Sequence, residues 1–243
     1  MAASSVNATY QGRVGISVQS VSVNWVSQVR NATTGTFVST YTTNTTVTNA
    51  VDTTLDSGRF GQVGTCARVP LFFDVSGITA NNTITDATLK VWNPTFGTIL
   101  DTIIVKGSAW GGGGETTTLS TSDYDNLDFS TAYSSKNLSW SGSGAYNNFT
   151  MNATAISDMN TNGYLNCFLI EGDYDYDGQS PPLDEYPAGA AVEYLDATNK
   201  IKVELTYVPS GYGNNVIGVA SANIKKVNEV GTADISNVIG VSG

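Results

Sequence analysis

An all-β sandwich is the fold class this sequence predicts, on three observations. Apolar residues recur at a period of two in short runs bounded by Gly or by Asn-Thr clusters, the pattern of half-buried strands joined by turns. Charged residues make up 13% of the chain, well below the ~25% usual in soluble domains, and Thr, Ser, Asn and Gly supply the polarity instead. Thr is β-branched and suits a half-exposed strand, while Asn and Gly tolerate the positive φ of hairpin turns. Long helices have little to work with. With 243 residues the chain can bury a substantial core, and we read residues 1–208 as one sandwich and 209–243 as a separate segment.

The run from Arg68 to Val91 is the expected centre. Val69, Leu71 and Phe73 share one parity and Phe72 stands on the other, so this strand is expected to be covered on both faces and central in its sheet. A tight link follows, in which Asp74 and Ser76 are turn formers. Ile84, Ala87, Leu89 and Val91 then approach alternation with polar residues between them, which suits a strand with one wet face. On the N-terminal side, Val14, Ile16 and Val18, then Val21, Val23 and Trp25, then Phe37, Val38 and Tyr41 read as strands, and 42–54 as an edge strand or a long loop. On the C-terminal side, residues 100–105 read as an apolar strand. The four glycines at 111–114 form a surface loop, since the Lys-Ser/Thr ending of a phosphate loop is missing and Glu115 follows. Residues 138–149 alternate around Trp140. Met151, Ala155, Ile156 and Met159 fall near helical spacing before Gly163, which predicts one short helix. Residues 164–170 and 201–207 complete the strands, the last one stopped by Pro209.

Charge narrows the partners. A net charge of −10 and a pI near 4.2 disfavour nucleic acid and anionic lipid. No apolar run approaches the ~20 residues of a membrane span, and the N-terminus lacks the basic start and apolar core of a signal peptide, so synthesis in a cytoplasm is expected. Histidine is absent, which removes Ser-His and Cys-His nucleophile systems and the usual zinc sites. Cys66 and Cys167 each lie in or beside an apolar run and are expected to be buried free thiols, with a disulfide open if their strands are neighbours.

From Gly211 the texture changes. Val216, Val227 and Val238 are spaced by eleven residues, as are Ala222 and Ala233, and Ile224 and Ile235. Ser221 and Thr232 stand where N-caps would begin a short helical turn, and Gly231 and Gly240 where one would stop. So few copies cannot enclose a core. Val216, Val219, Ile224, Val227, Val230, Ile235, Val238 and Val241 are therefore expected to dock on the sandwich, on another copy of the chain or on a larger assembly.

Candidate chemistry is sparse. Asp173, Asp175 and Asp177 with Gly178 reproduce the first half of a calcium loop, with Asp184 at the closing position in place of Glu, so Ca²⁺ is the one cofactor to weigh, against a solvated acidic turn. Trp92, Trp110 and Trp140 could stack on sugar rings. Trp110 is the best placed, beside its glycine loop, with core packing as the alternative. Glu115, Asp123, Glu171 and Glu185 are carboxylates without a spacing that selects a glycosidase pair, so no enzymatic activity is expected.

Two resemblances add a role. Arg68, Phe73, Asp74, Ile78, Ile84, Ala87 and Leu89, followed by 149–170, Tyr174-Asp175, Pro181, Asp196-Ala197 and the strand to Tyr207, resemble the DNRLRE-type jelly-roll domains related to carbohydrate-binding modules. That likeness covers about 65–208 and implies a jelly-roll β-sandwich. Ala222 to Asn228, with Glu229 in place of a Gly, is similar to the short ANIxKVNGV-like repeats of tailed-phage structural proteins. Together they imply a virion component assembled in a host cytoplasm, a capsid decoration, head fibre or tail-associated subunit. Its partners would be other virion proteins, copies of itself and a host-surface glycan. A carbohydrate-binding module and a surface-layer or filament subunit are the alternatives.

Overall fold

A computed structural model describes residues 1–20, 22–40, 46–49, 51–55, 62–93, 101–110, 118–137, 145–181, 191–194, 201–210, 226–227 and 230–231. The strands in chain order are β1 (Ala2–Asn7), β2 (Tyr10–Ser20), β3 (Phe37–Thr40), β4 (Thr46–Asn49), β5 (Val51–Leu55), β6 (Gln62–Asp74), β7 (Asn82–Asn93), β8 (Thr102–Gly107), β9 (Leu127–Ala132), β10 (Ala145–Thr150), β11 (Tyr164–Glu171), β12 (Ala191–Tyr194) and β13 (Lys202–Pro209), with a small pair, β14 (Lys226–Val227) and β15 (Val230–Gly231), beyond them. Among the described residues the helices are few: α1 (Ser76–Thr79), α2 (Ala153–Asn162), π-helical turns at Trp25–Arg30 and Gly172–Tyr176, and a 3₁₀ turn at Thr121–Asp125.

Two antiparallel sheets carry the fold, one ordered β1-β13-β7-β10 and the other β3-β2-β6-β11-β8-β9, with β5 also on β6. Eight of these strands, β1, β6, β7, β8, β9, β10, β11 and β13, alternate between the sheets as a jelly roll does, first beside last in one sheet and second beside seventh in the other. The sandwich thus begins at Ala2, whose strand pairs with β13 from Ala2↔Tyr207 to Asn7↔Lys202. β2 and β3 widen the second sheet on the β6 side.

The central stretch folds as its pattern requires. Val69, Leu71, Phe73 and Val75 point into the layer between the sheets, where Ile84, Ala87, Leu89 and Val91 of β7 meet them with Phe149, Leu165, Leu169, Val203 and Leu205. Cys66 and Phe72 take the other face of β6 and join a second apolar cluster with Trp25, Val29, Trp110, Tyr124 and Phe168. β6 is flanked by β2 and β11 and is central. In the link, Asp74 Oδ1 accepts from the Ser76 amide and hydroxyl at 2.9 and 2.6 Å. Helix α2 starts at Asn152, whose side chain accepts from Ala155 N at 3.1 Å, buries Ala155 and Met159, and ends at Gly163 with φ 75°, a left-handed cap that glycine adopts without strain.

Two expectations need correction. The run through Val23 and Trp25 is not a strand. Asn24 caps a helical turn there, its Oδ1 accepting from Ser27 N and its own amide donating to Gln28 Oε1, local bonds that compete with strand pairing. In the repeat segment, Gly231 does not stop a helical turn but lies in a β-strand, with Lys226 opposite Gly231 and Val227 opposite Val230. The two cysteines sit on the neighbouring strands β6 and β11, yet both are free. Cys167 is opposite Leu71, and the two thiols face opposite clusters.

Candidate functional site

The acidic turn is the first place where the sequence offered chemistry. It follows β11 as the Gly172–Tyr176 turn, started by Glu171, whose carboxylate accepts from the amides of Asp173, Tyr174 and Asp175 at 2.8, 2.6 and 2.9 Å. Burial pushes the Glu171 carboxyl up to about 6, against the lowering pull of those three N–H groups. This turn aims its aspartates in different directions. Asp175 points inward and meets Arg68 side-on, Nε to Oδ2 at 2.9 Å and Nη2 to Oδ1 at 2.7 Å, with both side chains fully buried. Asp173 and Asp177 point outward and share the Lys136 ammonium at 2.8 and 2.6 Å.

Asp173, Asp175 and Asp177 therefore do not converge on one point in this arrangement. Their negative charge is already balanced by one guanidinium and one ammonium, and no group of three or more potential metal ligands converges among the described residues. Asp184 lies outside the described residues. Arg68, named only through the family resemblance, is the hub. Its Nη1 donates to Tyr124 O and its Nη2 to Arg30 O, both at 2.7 Å, and its guanidinium stacks 3.9 Å from the Tyr124 ring centre. One side chain so ties the Trp25–Arg30, Thr121–Asp125 and Gly172–Tyr176 turns to the outer face of the second sheet. Arg30 reinforces this by donating to Asp175 O and Tyr176 O at 2.6 and 3.0 Å, and Trp25 Nε1 donates to Tyr174 O at 3.1 Å. The Cys66 thiol lies within this cluster, and burial first, then the Asp175 charge, push its pKa far up, so it is an inert thiol.

Trp110 does not serve as a stacking platform. It is 3% exposed, with Phe72 and Phe168 packed nearly perpendicular to it, so its ring is not open to a sugar. Of the carboxylates considered for hydrolysis, Asp123 closes a capping box with Ser120 and Glu171 caps the acidic turn. Glu115, Glu185 and Trp140 lie outside the described residues. Of the docking residues, Val227 and Val230 lie in the β14–β15 pair, and Val216, Val219, Ile224, Ile235, Val238 and Val241 lie outside the described residues.

One feature is half legible in the sequence, which offers Trp92 as a stacking residue without its partner, and a second escapes it. On the solvent face of the first sheet, Trp92 and Tyr146 pack edge to face at 5.0 Å, and Lys90 and Lys202 both reach Glu204, at 2.7 and 3.1 Å. The register Trp92↔Tyr146 makes this a cross-strand pair, which a period-two reading could have found only with the strand pairing known. The second feature is a cavity of about 300 Å³ lined by Lys106, Ser108, Tyr133, Asp158, Tyr164 and Asn166 among others. Lys106 Nζ donates to Asp158 Oδ2 at 2.7 Å, and the Tyr133 hydroxyl donates to the same oxygen. Burial alone would raise the Asp158 carboxyl, but these two donors hold it below its ordinary value. Burial and the adjacent Asp158 push the Tyr133 phenol up, so it remains a hydrogen-bond donor. No signal in the linear sequence joins residues 106, 133 and 158. Compared with known proteins, the chain matches no family model and no curated protein.

Proposed function

We propose that the chain is a non-enzymatic virion structural protein of a tailed phage, a capsid decoration, head fibre or tail-associated subunit, with the jelly roll facing outward and residues 209–243 docking on the particle or on other copies of the chain. The observation that carries this reading is how the charged side chains are used. Asp175 is matched to Arg68, Asp173 and Asp177 to Lys136, and Asp158 to Lys106, so the groups available for chemistry brace the scaffold. The eleven-residue repeats beyond β13, with apolar side chains that need a covering surface, support the docking half. Truncation after Ser210 is the test. The shortened chain should stay folded and soluble and fail to join the particle, and its normal incorporation would overturn the docking role.

A second reading, glycan recognition, is favoured by the Trp92–Tyr146 pair beside Lys90, Lys202 and Glu204 on an otherwise polar sheet face. Aromatic faces rimmed by hydrogen-bonding groups are what sugar rings need. A glycan array in which Trp92→Ala abolishes the signal would favour it, and a blank array would remove it.

A further inference from the structure

We propose that Asn162 is a site of spontaneous modification, where the Gly163 amide nitrogen displaces the side-chain amide as ammonia and water then leaves aspartate or isoaspartate, at a rate set by the clamp that Asn160 places on β7. The inference concerns the end of α2 and is independent of both readings above.

Chemistry singles out the position. An asparagine is converted when the backbone nitrogen of the next residue attacks its Cγ. The new N–Cγ bond closes a succinimide ring, the bond from Cγ to the side-chain nitrogen breaks, and that nitrogen leaves as ammonia with the proton of the backbone N–H. Water then adds to one of the two ring carbonyls and the ring opens, leaving a free carboxylate either on the side chain or at the end of the former main-chain carbonyl. The sum is one water taken up and one ammonia released, and no oxidant or enzyme is needed. A side chain on the following residue crowds the attack, and glycine has none. Asn162 is the one asparagine in the chain followed by glycine. It is exposed and lines the cavity beside Lys106 and Asp158, so water has access to the ring.

The fold holds the reaction back. The Gly163 N–H donates to Met159 O at 2.9 Å, which engages the attacking nitrogen, and the helical backbone of Asn162 at the end of α2 keeps that nitrogen turned away from Cγ. Attack therefore requires the last turn of α2 to open. Two contacts keep the turn closed. Asn160 Oδ1 accepts from Ile84 N at 2.8 Å and its Nδ2 donates to Ile84 O at 2.9 Å, which clamps the helix to β7. Gly163 O accepts from Val75 N at 2.9 Å, which ties the cap to the link after β6.

The product weakens what delayed it. A carboxylate at position 162 puts negative charge at the C-terminal end of a helix and four residues after Asp158, and both placements are unfavourable. Isoaspartate also lengthens the main chain by a methylene just before the left-handed Gly163, so the same cap cannot re-form. Each event thus loosens α2 from β7 and from the link permanently.

The test is peptide mapping by mass spectrometry on the full chain, held folded at neutral pH for weeks, with hydrogen exchange read on the same samples. The peptide carrying Asn162 should gain the mass of an amide-to-acid conversion before those carrying Asn81 or Asn152, as separable aspartate and isoaspartate forms, and unfolding in urea should speed it. Asn160→Ala removes both bonds to Ile84 and should raise Gly163 amide exchange and the conversion rate together, on the order of tenfold. Asn162→Gln should abolish the signal with the melting temperature unchanged, since glutamine closes its larger ring far more slowly. If Asn160→Ala unfolds the chain, the parent below its urea transition gives the same comparison, because the two rates must still rise together. The proposal is overturned if Asn81 or Asn152 converts first, if the folded chain converts as fast as the unfolded one, or if Gly163 exchange rises without the conversion rate.

Discussion

One face of the β6 sheet is covered by another sheet, and the other by three turns, and the two coverings are held by different forces. Between the sheets the contacts are apolar: Val69, Leu71, Phe73, Leu89, Leu165 and Val203 are each no more than 1% exposed, and hydrophobic burial stabilises them without regard to direction. On the outer face Trp25, Tyr124 and Phe168 are buried too, at 2% exposure or less, yet the turns that cover them are irregular backbone whose carbonyls need donors. Arg68 supplies donors to two of those turns and pairs with a carboxylate of the third. The lesson is that a sheet can be buried on both faces without a third layer of regular structure, provided one charge pair is well enough bonded to survive without water.

Breaking that pair gives the largest expected effect. Asp175→Ala leaves a fully buried guanidinium without its partner and should cost about 3–5 kcal/mol, read from urea unfolding. Phe73→Ala, in the layer between the sheets, should cost a similar amount, about 3–5 kcal/mol. What separates the two faces is rescue. Replacing Arg68 and Asp175 together by apolar residues of similar volume should recover much of the loss, as buried pairs often tolerate. If the double variant is no better than Asp175→Ala, then the hydrogen bonds from Arg68 to Arg30 O and Tyr124 O, and not the ion pair, hold the turns.

This contrast also explains what could be read in advance. The parity of Val69, Leu71 and Phe73 against Phe72, the spacing of Ala155 and Met159, and the stop at Gly163 are local patterns, and period alone places them. Arg68 and Asp175 are 107 residues apart, as are no features of a periodic run, and a charged residue inside an apolar strand gives no clue to its partner. The aspartates at 173, 175 and 177 looked equivalent because their spacing is regular. Their environments are not: a π-helical turn sends the middle one inward and the flanking two to Lys136. Trp110 misled for a related reason, since its glycine neighbours suggest access while the ring itself packs on Phe72 and Phe168. The cavity at Lys106 was illegible because its walls come from four separate segments.

A smaller effect, of distinct pH signature, belongs to Glu171. Its folded-state pKa is raised to about 6 from an ordinary 4.5, chiefly by burial, so between those values the folded chain holds more protons than the unfolded one. Stability should then rise as pH falls from 6 toward 4.5, by about 2 kcal/mol at most. The carboxyls with lowered pKa, Asp74, Asp128, Asp158 and Glu204, act with the opposite sign and lower, losing their contribution as pH falls through their folded-state values. A urea series should therefore show a rise before the acid loss, and Glu171→Gln should flatten that rise while leaving the acid loss in place. A rise that persists in Glu171→Gln would assign it to another group.

The smallest effect on stability tests the surface end of the same turn. Lys136 is partly exposed and bridges Asp173 and Asp177, so Lys136→Met should cost under about 1 kcal/mol. Its consequence for ion binding is larger than its consequence for folding. Asp101 stands near the same turn, its pKa raised by burial first and then by the Asp173 charge, and without the ammonium Asp173 and Asp177 lose the cation that bridges them. Added Ca²⁺ should leave the melting temperature of the parent unchanged and raise that of Lys136→Met, because a divalent ion then occupies the position the ammonium held and relieves the repulsion. A calcium shift in the parent of the same size would mean that Lys136 yields to the metal, and the acidic turn would then be an ion site after all, with the lysine as a displaceable gate.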